Sequence, residues 1–263
     1  IPFNFLPPKH LEYSISGGVV DDRNNTRFSR ANFNYGLSRR LTVGSGIEYL
    51  SSITSAPVMP FINLSLRLAS SLMLTGEYVY GVRLKGLLTY RLPSDLLFEL
   101  NYTKFNPGQK AVNYNYLEER KATVSVPLRA RHISSMFRLT VDQIVLARSQ
   151  YITSEFLISG AVYGISANLT TNAMFSDPVH PYIYSTLALG FRLPAGIIFT
   201  PQTQYIYNDN RFVDVKAQLE KRVFLHGYLN FLYERNFIGN INNLQIGFRY
   251  EFSFAQAGFL ASY

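Results

Sequence analysis

Few residues in this chain are spaced for covalent chemistry. Asp21 and Asp22 stand side by side in "VVDDRNN", and a carboxylate pair is the smallest set that can divide acid and base roles. "RHISS" at 131–135 brings His132 close to Ser134 and Ser135, the pairing of a base with a nucleophile. His180 lies between Pro178 and Pro181, and His10 and His226 are isolated. Each has a plainer reading. Asp is common in turns because its carboxylate bonds the local backbone. His132 falls at a tight turn with no acid partner near it in sequence. The chain has no Cys, which removes disulfides and thiolate metal sites. No phosphate loop or dinucleotide fingerprint is present. The sequence therefore predicts no enzyme, no catalytic residue, no cofactor and no metal.

A second set of residues carries charge instead. Arg30, Arg67, Arg83, Lys85, Arg91, Lys121, Arg138, Lys216 and Arg249 alternate with apolar neighbours, and so do Glu12, Glu48, Glu99, Asp142, Glu155, Asp214, Glu220 and Glu251. Gathered on one wall, such groups could form a selectivity ring or contact a chain in transit. The plain reading is a set of cross-strand ion pairs on a wet surface. Arg249 and Glu251 share one face of one strand and can satisfy each other.

The elements that must hold these residues are strands. In "LQIGFRYEFSF", residues 244–254, apolar side chains alternate with Gln, Gly, Arg, Glu and Ser, the period of a β-strand. The same alternation runs through "LEYSISGGV", "LTVGSGIEY", "INLSLRL", "VRLKGLLTYRL", "LFELNYT", "FRLTVDQ" and "VDVKAQLEK". Roughly sixteen segments are expected, most of them about 9 to 11 residues long, the span of a tilted strand in a bilayer.

The connectors fall into two alternating classes. "LSRR" at 37–40, "LPSD" at 92–95, "PLRARH" at 127–132, "LPAG" at 193–196 and "RVFLHG" at 222–227 are tight. "DDRNNT" at 21–26, "NPGQKAVNYNYLEE" at 106–119, "TNAMFSDPVHP" at 171–181, "NDN" at 208–210 and "NFIGNIN" at 236–242 are polar and often longer. Residues 69–82 do not sort cleanly. A membrane barrel has tight turns on one side and longer loops on the other. Tyr35, Tyr49, Tyr80, Tyr90, Tyr102, Tyr205 and Tyr207 near strand ends are candidates for interfacial girdles, although the chain has no Trp.

Composition agrees. Only 16% of the 263 residues are charged and 15% are aromatic, whereas about 25% charged is usual for soluble domains. No run is apolar enough for a transmembrane helix. A soluble β-sandwich also alternates, but it has no reason to sort its turns. The net charge of +8 is dispersed through the strands, so no nucleic-acid partner is expected. The expected fold is all-β, a single antiparallel transmembrane β-barrel domain over residues 1–263, with the lipid bilayer around it.

The pattern resembles bacterial outer-membrane β-barrels. A narrower resemblance lies in the first fifth of the chain. Tyr13, Ser14, Ser16 and Gly17, then Tyr35, Gly36, Leu37, Thr42, Gly46 and Tyr49, are similar to a hairpin in the barrel of outer-membrane ushers. That resemblance implies a bacterial outer-membrane location and a wide barrel that exports a polypeptide or binds partner chains. The other functions open to such a barrel are a diffusion porin, and a structural or assembly barrel subunit whose lumen a partner fills. Lys110, Glu118 and Glu119 in the 106–119 loop could narrow a porin mouth. After "AQAG" the alternation resumes in "FLASY". The chain is therefore expected to be a segment of a larger barrel, or to close its last strand on its first in an unusual register.

Overall fold

The computed structural model describes the backbone of residues 5–21, 25–53, 57–111, 116–131, 133–176, 179–251 and 256–262, and the side chains of all of these except 179, 251 and 256–262. Asp22, His132, Phe252, Phe254 and the Glu251 side chain thus lie outside the described residues.

Strands make up nearly all of it: β1 Leu11–Val19, β2 Arg27–Ser38, β3 Leu41–Leu50, β4 Val58–Arg67, β5 Leu72–Val79, β6 Arg83–Arg91, β7 Leu97–Phe105, β8 Tyr116–Ala130 and β9 Ile133–Leu146. They continue as β10 Gln150–Val162, β11 Ile165–Ser176, β12 Val179–Leu193, β13 Ile197–Ile206, β14 Arg211–Arg222, β15 Gly227–Asn236, β16 Ile241–Glu251 and β17 Gln256–Ser262. Chain neighbours pair antiparallel from β1 through β7 and from β11 through β17. Apart from one 3-10 turn at Pro194–Gly196, no helix occurs among the described residues. Such a meander of strands, polar on one face and apolar and exposed on the other, is the fold class of a transmembrane β-barrel.

The turns sort as the sequence suggests. The tight-turn end carries 39–40, 68–71, 92–96, 163–164, 194–196 and 223–226, and the loop end carries 20–26, 51–57, 80–82, 106–115, 207–210 and 237–240. The stretch 69–82 resolves into the end of a tight turn, all of β5, and a three-residue turn. Tyr163 and Gly164 both have positive φ, 48° and 82°, as a two-residue primed hairpin turn requires. Asn210 and Asn240 take the left-handed position at the loop end, which Asn tolerates.

Two expected loops are shorter than the sequence implied. β8 starts at Tyr116, so Glu118 and Glu119 are strand residues rather than loop residues. β11 and β12 leave only 177–178 between them. The ladder survives Pro181 because the register slips between Met174 and Ser176. Pro181 falls in that irregularity, where its missing N–H breaks no regular pair. The described residues form seventeen strands, since Gln256–Ser262 pairs with β16. Strands β8 and β12 reach 15 residues, longer than the expected span.

By packing, the chain divides into two compact units, Ile1–Val124 with Thr140–Ile152, and Ser125–Leu139 with Thr153–Tyr263. In the first unit the usual placement of residues is inverted. Ile62, Ile47, Leu84 and Tyr78 are exposed, while Thr42, Glu77, Thr89 and Thr103 on the opposite face are buried. A small apolar core lies on the polar face at the loop end. It consists of Ile53, Met59, Phe61, Val79 and Val82, with Leu50 and Ala111 against it. Gly46 faces Phe61 in register, and a Cβ there would overlap both the Phe61 ring and the Ala31 carbonyl. Gly46→Val should therefore destabilise the folded protein by about 2 kcal/mol. The check is the temperature at which the detergent-folded band converts to the unfolded band on a gel.

Candidate pore-lining face

Alternation and register together bring the charged residues of unit 1 to one face. Arg30 on β2 is opposite Glu48 on β3, and Glu77 on β5 is opposite Lys85 on β6. Arg30, Glu48 and Glu77 close a four-membered ring with Arg83 of β6. Arg30 donates to Glu48 at 2.5 Å and to Glu77 at 2.7 Å, and Arg83 donates to Glu77 at 2.9 Å and to Glu48 at 3.3 Å. The ring bridges β2, β3, β5 and β6 across β4, so the polar face is concave enough for side chains to meet over an intervening strand. The Arg30 guanidinium also lies 4.3 Å from the centre of the Phe61 ring, which ties the ion network to the apolar core above it.

Glu77 is the member of the ring that the sequence does not single out. It belongs to the unsorted 69–82 stretch, where Met73, Thr75, Glu77 and Val79 share the polar face and blur the alternation. Its signal was Leu74, Gly76 and Tyr78 on the other side of "LTGEYV".

The remaining candidates of unit 1 lie on the same face. Arg67 stacks over Phe5 at 4.6 Å, and Arg91 lies 4.0 Å from Asp95 at the tight-turn end. Glu99 is opposite Thr89. Lys121 is 3.9 Å from Asp142, beside a contact of 3.4 Å between the Thr123 and Thr140 hydroxyls. At the tight-turn end, residues 5–10 fold onto this face. Leu6 N–H donates to Thr42 Oγ1 at 3.1 Å, and Gly36 N–H donates to the His10 carbonyl at 2.9 Å. A Cβ at Gly36 would overlap the Leu6 and Pro7 carbonyls, so glycine is what lets the segment approach. The structure thus gives local packing roles to Thr42, Gly36 and Gly46, three of the residues behind the usher resemblance.

In unit 2 the polar ladder is built the same way. Gln202, Lys216 and Glu234 are consecutive register partners on β13, β14 and β15. Lys216 lies 2.9 Å from Glu234 and 3.8 Å from Asp214. Arg138 donates to Glu155 at 3.4 Å. Glu220 is opposite Ile198 and Asn230. Arg249 stacks over Tyr228 at 4.8 Å, and the register puts position 251 on the Arg249 side of β16, opposite Gln256. Leu244, Ile246 and Phe248 occupy the other, exposed side.

Ionic contacts thus take up most of the predicted charges, while Glu12, Arg67, Lys85, Glu99 and Glu220 have no ion-pair partner among the described residues. Of the predicted chemistry-bearing pairs only one side is described: Asp21 is exposed at the loop end, and Ser134 and Ser135 lie at the start of β9, lining a groove of about 830 Å³ with Arg129, Gly160, Ser166 and Arg192, while Asp22 and His132 lie outside the described residues.

Charge is also sorted along the strands. Within unit 1 the tight turns carry exposed Arg39, Arg40 and Arg91, and within unit 2 they carry exposed Arg129, Arg131, Arg192, Lys221 and Arg222. Loop-end turns mix signs, as in Asp209 with Arg211 at 2.8 Å.

No protein-family model and no curated protein matches the chain. Solved structures with a similar backbone course include two engineered variants of the Rh. blastica porin, at 10% and 11% identity, each with a TM-score of 0.41 and covering 92% of this chain and 100% of that one. A third, described as "Asymmetric conductivity of engineered proteins", aligns at 10% identity and a TM-score of 0.42 with the same coverage.

Proposed function

We propose that this chain is an outer-membrane barrel that passes small polar solutes by diffusion. One observation carries the reading. The sheet exposes Ile62, Leu84, Ile246 and their neighbours on one face, and on the other it holds ion pairs, amides and hydroxyls. An apolar surface of that kind suits acyl chains, and a polar wall with charges of both signs suits water and solutes. Export of a polypeptide is less favoured: in unit 1 the polar face is occupied by the ion ring, the apolar core and residues 5–10, which leave a cavity of about 410 Å³. A barrel filled by a partner chain remains the second alternative, and the same recording separates it from a pore.

The experiment is conductance in planar bilayers. Discrete steps are expected, and absence of any conductance would remove the pore reading. The basic tight turns of unit 2 should favour anions, because a cluster of one sign concentrates counter-ions beside it. Under a salt gradient the reversal potential should have the sign of anion preference, and Arg129→Glu with Arg192→Glu should move it toward zero. A cation-selective wild type would contradict this assignment of the charged end.

A further inference from the structure

The cavity of about 410 Å³ on the polar face of unit 1 runs from Arg30 and Glu77 of the ion ring to Thr42, the acceptor of the Leu6 N–H, and is in the size range of pockets that take small solutes. Its wall is made largely of amides and hydroxyls, with Asn32, Asn34, Asn63 and Asn101 the main amides. Four charged residues reach it: Glu12, Arg30, Glu77 and Lys85. Two of them are already matched. Arg30 and Glu77 bind each other within the ring.

The other two are not matched. Lys85 is the direct cross-strand neighbour of Glu77, but both Glu77 oxygens accept from arginines, Oε1 from Arg83 and Oε2 from Arg30. Lys85 is therefore half-buried without a carboxylate, and Glu12 on β1, itself exposed at the cavity wall, has no cation partner among the described residues. An ammonium partly withdrawn from bulk water, as that of Lys85 is, favours a counter-charge. Asn101, opposite Leu87 beside Lys85, adds a buried side-chain oxygen with no hydrogen-bond partner. The cavity thus presents an unmatched ammonium on β6, an unmatched carboxylate on β1, and amides between them.

We propose that this cavity binds a zwitterionic solute of the amino-acid or dipeptide class, its carboxylate toward Lys85 and its ammonium toward Glu12, with the amides bonding the groups between. A neutral sugar would use the amides but would leave both charges unmatched. The assignment rests on the polar face being the water-filled wall of a pore and names the solute that wall holds.

The test is calorimetric titration of the full chain, folded in detergent, with glycylglycine, N-acetylglycinamide and sucrose. Saturable binding is expected for glycylglycine alone. Lys85→Met and Glu12→Gln should each weaken it about tenfold, the usual scale for losing a hydrogen bond to a charged group. Lys85→Arg should retain most of the binding, which separates loss of charge from loss of fold. Absence of saturable glycylglycine binding, equal binding of sucrose, or indifference to both charge removals would overturn the proposal. Because titration does not need a conducting barrel, binding without conductance would leave the cavity standing and remove the pore. Conductance without binding would do the reverse.

Discussion

Glu77→Gln should lower the stability of the folded protein by about 2 kcal/mol, and by more than Glu48→Gln does. The reason is the asymmetry of the ring. The Glu77 side chain is 8% exposed and that of Glu48 is 16% exposed, while Arg30 and Arg83 retain 36% and 24%. Removing a charge from a buried ion pair is costly chiefly because the partner is left uncompensated. Here two guanidiniums would face each other across β4 with one carboxylate between them. Their partial exposure lets water relieve some of that repulsion, which sets the effect below the 3–5 kcal/mol typical of a fully buried pair. The measurement is the midpoint of urea-induced unfolding of the detergent-folded protein. Arg30→Met combined with Glu77→Leu should recover much of the loss, because it removes one cation with its anion and leaves apolar groups beside Phe61. Equal midpoints for wild type and Glu77→Gln would mean that the ring is solvated and contributes nothing.

The ring also shows where the sequence stops being legible. Alternation was enough to put Arg30, Glu48 and Arg83 on a common face, because each lies in a strand whose other side is plainly apolar. It could not pair them, since pairing depends on registers set by turns such as 39–40 and 51–57. It missed Glu77 because Phe61, Met73 and Val79 place apolar side chains on the polar face, and a two-faced pattern with apolar groups on both sides reads as noise. The small core of Ile53, Met59, Phe61, Val79 and Val82 was hidden for the same reason. Glu118, Glu119 and Asn172 misled in the opposite direction. Polar residues near the wet end of a strand look like loop residues, so the alternation alone makes β8 and β11 too short. The sorting of turns was readable in detail because it follows from short-range backbone chemistry: Pro194, Asn210 and Asn240 act where they stand. The unmatched charges of the 410 Å³ cavity were not readable, because Lys85 lacks a partner only once Arg30 and Arg83 have taken Glu77.

Ile62→Arg should prevent the protein from assembling in a bilayer, at a cost of roughly 2–4 kcal/mol, as for a cation near the midplane on the lipid face of a barrel. Ile62 is central in β4, 60% exposed, and paired with Ser45 and Tyr78. If that exposure faced water, the substitution would be nearly neutral, within about 0.5 kcal/mol like most surface changes, and would improve solubility. The two surroundings therefore predict opposite outcomes from one residue. Leu219→Arg on β14 should behave like Ile62→Arg, since Leu219 is 39% exposed and stands with Phe199 and Phe231. Its neighbour Gln218 supplies the control. It faces the other way, between Thr200 and Leu232, and Gln218→Arg should fold into lipid vesicles with little loss. The reading is the fraction of each variant that acquires protease resistance and heat-modifiable mobility after dilution from urea into vesicles. Loss for Ile62→Arg and Leu219→Arg with retention for Gln218→Arg would place the apolar face against acyl chains; equal yields for all three would put that face in water and end the membrane reading.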